Sequence, residues 1–166
     1  NGFVKMKSSR VQADLDGERI SGIITLDAKI NGGSAKDKTF DIGGTALSLS
    51  GVAVSGEHAT SGWSGRVDVQ KGQVVWHRPM NLDISAAITM ANAQPILAIF
   101  EAHRKTAKWL DRILDLKNIR GTATLKASPN EIVVPYAFAQ SDTIDVGAKG
   151  IFKQGFREGV FYARYN

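Results

Sequence analysis

The sequence contains no cysteine, and that absence excludes three kinds of site. Without a thiol, the chain forms no disulfide, no thiolate metal centre and no cysteine nucleophile. Histidine is nearly as scarce, because the three histidines, His58, His77 and His103, are far apart and none belongs to an HxH or HxxxH motif. Zinc sites without cysteine depend mainly on histidine, so we predict no metal and no other cofactor.

Long apolar runs are also missing. No stretch approaches the roughly 18 consecutive apolar residues of a transmembrane helix. No basic segment followed by an apolar one opens the chain, as it does in a signal peptide. The chain begins with Asn1, and residues 162–166 have the alternation of a strand interior. We therefore expect a segment of a longer chain, in which a membrane anchor would precede Asn1.

Motifs of catalysis are absent as well. Residues 62–66 begin like the nucleophile elbow of a hydrolase, but Arg66 stands where that motif requires glycine. Residues 32–39 are rich in glycine and lysine without the spacing of a phosphate-binding loop. The remaining candidates are two carboxylate pairs at strand ends and turns, Asp14 with Asp16 and Asp142 with Asp145. Nothing places these pairs in a pocket, so we predict that the protein is not an enzyme.

Basic residues outnumber acidic ones, with 21 Lys and Arg against 16 Asp and Glu, and the formal net charge is +5. Such a balance suits an anionic partner or simply adds solubility. The basic residues are spread over most of the chain, without the clusters and interleaved aromatic residues of a nucleic-acid groove. We therefore predict no nucleic-acid partner.

One segment, Pro95 to about Lys117, has helical periodicity. Its apolar residues recur at steps of three and four: Ile96, Ile99, Phe100, Ala107, Leu110, Ile113 and Leu114. Proline suits the first turn of a helix, and lysine suits the last turn because the helix dipole is negative there. The polar side of the predicted helix either is a solvated surface or contacts anionic lipid headgroups. The residues for that headgroup contact are Arg104, Lys105, Lys108 and Arg112.

Most of the remaining sequence alternates between apolar and polar residues, as half-buried strands do. Residues 20–30 and 82–90 are the clearest runs, and short turns separate the runs. Short turns join antiparallel neighbours, because parallel strands need crossovers of about a dozen residues or more. The sequence therefore predicts one domain over residues 1–166, of class α+β and mostly β. It would be a curved antiparallel meander of about nine or ten strands with one long amphipathic helix, near 95–117, packed on it.

Nearly every predicted strand has a complete apolar face, whereas one helix covers only part of such a sheet. Exposed apolar surface costs about 25 cal/mol per Å², so something else must cover it. The sheet would either fold on itself into a sandwich or curve into a trough that accepts a lipid chain or another segment of the full-length protein. The predicted lining of the trough is Ile20, Ile24, Leu26, Phe40, Ile42, Leu82, Ile84 and Ile88.

Residues 39–55 need separate treatment because they contain several glycines. Unbroken alternation places Phe40 and Ile42 on the opposite face from Leu47 and Leu49. Gly51 then shifts the alternation, which predicts a β-bulge that bends the strand.

Several segments follow one pattern. The first is Phe40-Asp41-Ile42-Gly43-Gly44-Thr45-Ala46-Leu47-Ser48-Leu49-Ser50-Gly51-Val52, and the second is Trp63-Ser64-Gly65-Arg66-Val67-Asp68-Val69. The others are Leu82-Asp83-Ile84-Ser85-Ala86, the predicted apolar and basic helix near 95–117, and Ile119-Arg120-Gly121-Thr122-Ala123-Thr124-Leu125. Together these segments resemble the C-terminal β-rich regions of AsmA-like proteins. The resemblance extends over residues 20 to 165 and rests on alternation punctuated by glycine.

The resemblance implies a function that the residues alone do not name. AsmA-like proteins, among them TamB-like and YdbH-like members, are envelope proteins of Gram-negative bacteria that are anchored in the inner membrane. They carry phospholipid along a curved β-groove through the periplasm and so help to maintain the outer membrane. The first hypothesis is therefore a non-enzymatic periplasmic module that binds phospholipid on its apolar face. The alternative is a structural domain that docks on other envelope proteins or on adjoining repeats.

Overall fold

A computed structural model describes residues 1–15, 18–55, 59–93, 116–153 and 156–165 of the chain. The only regular secondary structure within these ranges is β-strand. The strands are β1 (Gly2–Leu15), β2 (Glu18–Ile30), β3 (Gly32–Ser34), β4 (Thr39–Asp41), β5 (Ala46–Ser55), β6 (Thr60–Val75), β7 (Asn81–Asn92), β8 (Lys117–Ser128), β9 (Glu131–Gln140), β10 (Ile144–Lys153) and β11 (Phe156–Tyr165).

All eleven strands belong to one antiparallel sheet. The main path runs β1-β2-β5-β6-β7-β8-β9-β10-β11, so most strands lie beside their neighbours in the sequence. The short β3 and β4 form a hairpin beside this path, and β4 also pairs with β6. In the described part of the chain, β1 and β11 are the two end strands of the main path.

The prediction of an α+β fold with a long helix packed on the sheet is wrong. The described residues are all β and contain no helix. Most of the predicted helix, residues 95–115, lies outside the described residues, and its C-terminal end was misassigned. Lys117 is the first residue of β8, where it pairs with Asn92 of β7. The alternation that begins at Ile119 therefore extends two residues further back than expected. The described residues alone form eleven strands, where nine or ten were expected.

The register shows why one face of this sheet is apolar. Residues that pair across antiparallel strands lie on the same face. One row of such residues crosses nine strands and contains only apolar side chains and one glycine: Met6, Leu26, Leu47, Val67, Ile88, Gly121, Ala139, Val146 and Ala163. With strands spaced about 4.8 Å apart, this row is about 38 Å long. We call the surface that contains it the apolar face.

The next row along the strands lies on the other face, because successive side chains point to opposite sides of a sheet. Each of its nine members is polar: Lys7, Thr25, Ser48, Arg66, Thr89, Arg120, Gln140, Asp145 and Arg164. We call this surface the polar face. The contrast between the two rows shows that the whole sheet, and not one strand alone, is amphipathic.

Bulges interrupt the alternation without mixing the two faces. The predicted bulge at Gly51 is confirmed, because the pairing of β2 with β5 shifts there and Gly51 has a φ of 59°. Glycine adopts this left-handed conformation without the steric cost of a side chain. The shift brings Val52 onto the same face as Leu47, and such bulges also bend the strand and increase its twist.

Candidate functional site

The apolar face is only partly buried. Its best-covered residues form a strip on β5 to β7, with exposed fractions of 8% or less: Val52, Val54, Trp63, Val69 and Ala86. A second buried cluster, Ala93, Leu116, Ile119 and Ile144, lies at the end of the sheet where β7 finishes and β8 begins. Among the described residues, no large side chain is less than 2% exposed. The chain therefore lacks, in its described part, the fully enclosed core that a two-layer domain of this size builds.

The structure brings all eight predicted lining residues onto the apolar face. Ile20, Ile24 and Leu26 pair with Val54, Leu49 and Leu47 of β5. Farther across the sheet lie Phe40, which pairs with Val74, and the β7 residues Leu82, Ile84 and Ile88. All eight residues are half-buried.

The side chain of Ile42 lies on the apolar face over Gly72 of β6. A methyl group at Gly72 would lie 2.8 Å from Cγ1 of Ile42, 2.8 Å from Cγ1 of Val69 and 3.2 Å from Cγ2 of Ile84. The three side chains therefore meet above the bare backbone of this glycine. Any larger residue at position 72 would push them apart.

Sequence reasoning missed the middle of the face. Unbroken alternation had placed Leu47 and Leu49 opposite Phe40 and Ile42, but the turn at Gly43 and Gly44 resets the alternation. Gly44 has a φ of 80° there, and its N–H donates to the carbonyl of Val69 at 2.7 Å. The leucines therefore lie on the apolar face, between the two groups of predicted residues.

Trp63 is the largest residue in the buried strip. Its ring lies over Gly65, because a Cβ at position 65 would come within 2.4 Å of the ring carbon Cη2. Its indole Nε1–H donates to the backbone carbonyl of Asn92 at 2.9 Å. The ring therefore covers part of β6 while its polar atom is satisfied on β7, which fixes its orientation.

A shallow apolar depression lies beside this strip. It has a volume of about 100 Å³ and spans β7 to β10. Its floor is low because the side chains there are small, namely Gly121, Ala123, Ala137, Ala139 and Ala148, and Ile88 and Met90 form a taller wall. This depression continues the apolar row, and all of its lining residues except Thr122 are apolar.

The polar face has the chemistry of a solvated surface. It carries ion pairs between neighbouring strands, Lys5–Asp27, Lys126–Asp83, Lys153–Glu131 and Arg164–Asp145, and the pair Arg66–Asp68 within β6. A hydrogen bond from Arg66 lowers the pKa of Asp68, and the same contact raises the pKa of Arg66. The contribution of Asp68 to stability is therefore present above its unfolded pKa and is lost as the pH falls through its folded pKa. The side chains of the first three pairs and of Arg66–Asp68 are partly or largely exposed, so each of these four pairs contributes about 1 kcal/mol or less. The fifth pair differs, because the carboxylate of Asp145 is buried where it contacts Arg164.

The polar face also carries an open cleft of about 760 Å³. Its charged lining consists of two cations, Lys29 and Lys71, and two carboxylates, Asp41 and Asp83. The carboxylate of Asp41 accepts a hydrogen bond from the N–H of Gly43 at 2.8 Å, so it stabilises the local turn. Because the opposite charges balance, the cleft does not select an ion of either sign.

Other predicted features are not placed by the structure. The basic residues of the predicted headgroup contact, Arg104, Lys105, Lys108 and Arg112, lie outside the described residues. Within the ranges that are described, no three His, Asp or Glu side chains are grouped as metal ligands. Those ranges also contain no helix with the length and apolarity needed to span a bilayer.

Comparisons with family models, curated proteins and solved structures return no match for this chain. The AsmA-like resemblance therefore stays a prediction from the sequence. The geometry itself supports one kind of contact, because the row that crosses the apolar face contains only apolar side chains and one glycine.

Proposed function

We propose that this chain is a non-enzymatic module that binds the acyl chains of phospholipid on its apolar face. One observation carries the proposal: an unbroken apolar row crosses nine strands on a face that no second sheet covers in the described residues. Such a surface is longer than the isolated apolar patches of ordinary monomers. Its length suits an extended hydrocarbon chain better than a compact ligand.

The energetics favour a ligand with two acyl chains. Burying a methylene contributes about 0.8 kcal/mol, so ten methylenes contribute roughly 8 kcal/mol. Association itself costs about 4 kcal/mol or more in lost translational and rotational freedom. A second chain on the same molecule doubles the favourable contribution without a second association cost of that kind. A phospholipid should therefore bind more tightly than a fatty acid of the same chain length.

The same face also suits release of the lipid. Binding by dispersion and desolvation has no strong directional bond to break, so a chain can move along the face by small steps. This property fits a carrier of phospholipid better than an enzyme. It also predicts that affinity follows the length of the acyl chain more than the identity of the headgroup.

We further propose that the chain belongs to an AsmA-like envelope protein and works in the periplasm, with an inner-membrane anchor elsewhere in the full-length protein. The sequence resemblance supports this assignment, and the amphipathic single sheet is compatible with it. Maintenance of the outer membrane by lipid transport would be the corresponding cellular role.

One observation favours the structural alternative. The edge strand β1 is 14 residues long and exposes Phe3, Val4 and Met6 by half or more of their surface. The opposite edge, β11, exposes Val160 and Tyr165 to a similar degree. Long edges with exposed apolar side chains readily accept another strand. The sheet could therefore extend into adjoining repeats or a partner protein.

Native mass spectrometry of the chain, purified without detergent from bacterial cells, separates the two functions. The proposal predicts a population heavier than the bare chain by one phospholipid, which organic extraction removes. A protein with an enclosed core, purified in parallel, serves as the control for adventitious lipid. Lipid-free monomers would contradict lipid binding, and lipid-free multimers would favour the structural alternative.

A further inference from the structure

Two loops lie side by side at one end of the sheet. The first is the turn of residues 35–38 between β3 and β4, and the second is the loop of residues 76–80 between β6 and β7. Pairing of β4 with β6 brings them together, and the N–H of Trp76 donates to the carbonyl of Lys38 at 2.6 Å. We call these two loops the basic tip.

The basic tip exposes large apolar side chains. Trp76 is 66% exposed and Met80 is 50% exposed. Indole rings are enriched where proteins meet the membrane surface, because they have an apolar body and a polar N–H. An exposed tryptophan beside an exposed methionine is therefore suited to shallow insertion among lipid headgroups.

The same loops carry unneutralised positive charge. Lys36, Lys38 and Arg78 form no ion pair with any residue that the structure describes, although cations elsewhere on the sheet do so. The single carboxylate of the tip, Asp37, accepts a hydrogen bond from the hydroxyl of Ser34 at 2.7 Å. The tip therefore has a net charge of +2 from its lysines, arginine and aspartate, with His77 neutral.

The apolar face extends to this end of the sheet. Ile30, Ile132 and Phe152 are the residues of β2, β9 and β10 nearest to it on that face, and each is more than 40% exposed. The opposite end differs, because the buried cluster of Ala93, Leu116, Ile119 and Ile144 lies there. The sheet thus has one well-packed end and one end with exposed apolar and basic residues.

We propose that the basic tip docks on the surface of a bilayer that contains anionic phospholipid. In this arrangement the exposed end of the apolar face meets the membrane, where acyl chains enter or leave. The inference rests on the proposed function in this respect, because it specifies where the lipid is exchanged. Docking itself depends on the two loops and is measured separately from acyl-chain binding.

Vesicle sedimentation tests the docking. The full chain should bind vesicles of mixed phosphatidylcholine and phosphatidylglycerol, and rising salt should weaken this binding. A basic side chain near an anionic surface contributes roughly a fivefold gain in affinity. The triple variant Lys36→Glu, Lys38→Glu and Arg78→Glu should therefore lose more than about a hundredfold.

A matched variant controls for total charge. Lys117→Glu, Arg120→Glu and Lys149→Glu change the net charge equally, at exposed positions away from the tip. This variant should lose less than about tenfold, because screening limits long-range attraction to about a Debye length. Equal losses in the two variants, or no vesicle binding by the unaltered chain, would overturn the proposal.

Fluorescence then tests the role of Trp76. Lipids brominated near the headgroup should quench part of the tryptophan emission of the bound chain, and Trp76→Phe should remove that part. Unchanged quenching in Trp76→Phe would contradict insertion at the tip.

Binding of monomeric lysophospholipid below its micelle concentration reports on the apolar face alone. If the unaltered chain does not bind lysophospholipid, acyl-chain binding on the apolar face is contradicted. Docking of the basic tip is decided separately, by the vesicle results.

Discussion

Replacing Ile84 and Ile88 together by glutamate is expected to lower the affinity for monomeric lysophospholipid by at least about a hundredfold. Both side chains are half-buried on the apolar face of β7, a strand at the middle of the sheet. A carboxylate under a bound hydrocarbon chain would lose its water or keep the chain away, and either outcome costs free energy. Isothermal titration calorimetry on the folded variants measures the loss.

The matched control shifts the same two charges by one residue along β7. Ser85→Glu and Thr89→Glu place the carboxylates on the polar face, where Ser85 pairs with Lys71 and Thr89 pairs with Arg66. Opposite charges on paired positions are favourable, so this variant should fold and bind lipid within about threefold of the unaltered chain. If both double variants lost affinity equally, the apolar face would not be the binding surface.

Trp63→Ala is expected to lower the free energy of unfolding by about 3–5 kcal/mol, the range typical of a buried large aromatic residue. Trp63 is 7% exposed in a sheet that buries few large side chains in its described part. Removing the ring uncovers the backbone at Gly65 and abolishes the hydrogen bond to Asn92. Urea unfolding, followed by circular dichroism, measures the change.

Trp63→Phe separates packing from the hydrogen bond. Phenylalanine retains most of the apolar area but has no N–H, so we expect a loss of about 1–2 kcal/mol. Gly65→Val is the complementary change, because its side chain would occupy the position of the tryptophan ring. A loss below about 1 kcal/mol for Trp63→Ala would show that the strip on β5 to β7 is not the stabilising centre of the sheet.

The sequence predicted individual strands and their antiparallel arrangement because the signals for them are local. Alternation over residues 20–30 and 82–90 defines two strands and their apolar sides without any knowledge of distant contacts. The short turns between the runs then indicate that successive strands are antiparallel neighbours. For the same reason, the eight predicted lining residues lie on one face, since each was identified from the alternation of its own strand.

The errors arose where alternation is interrupted. Glycine accepts a positive φ, and Gly44 uses one to reset the register, which moved Leu47 and Leu49 to the face opposite the expected one. At Lys117, a cation that suits the last turn of a helix instead begins β8. Local propensity does not distinguish these cases, because the pairing of Lys117 with Asn92 depends on a strand more than twenty residues away in the sequence.

The basic tip was not predicted from the sequence. Lys36 and Lys38 are about forty residues from Trp76 and Arg78, and they meet only because β4 pairs with β6. The composition showed an excess of positive charge. Which basic residues lie together became clear only from the pairing of β4 with β6. The openness of the apolar face likewise depends on how the strands are arranged in the sheet.

Methyl NMR with a spin-labelled phospholipid tests most directly whether the apolar face holds acyl chains. A nitroxide on the acyl chain broadens the signals of methyl groups that lie near it. We predict broadening at Ile24, Ile84 and Ile88, with little effect at Ala46 and Ala87 on the polar face. Broadening that is equal on both faces, or absent from all five residues, would contradict the account.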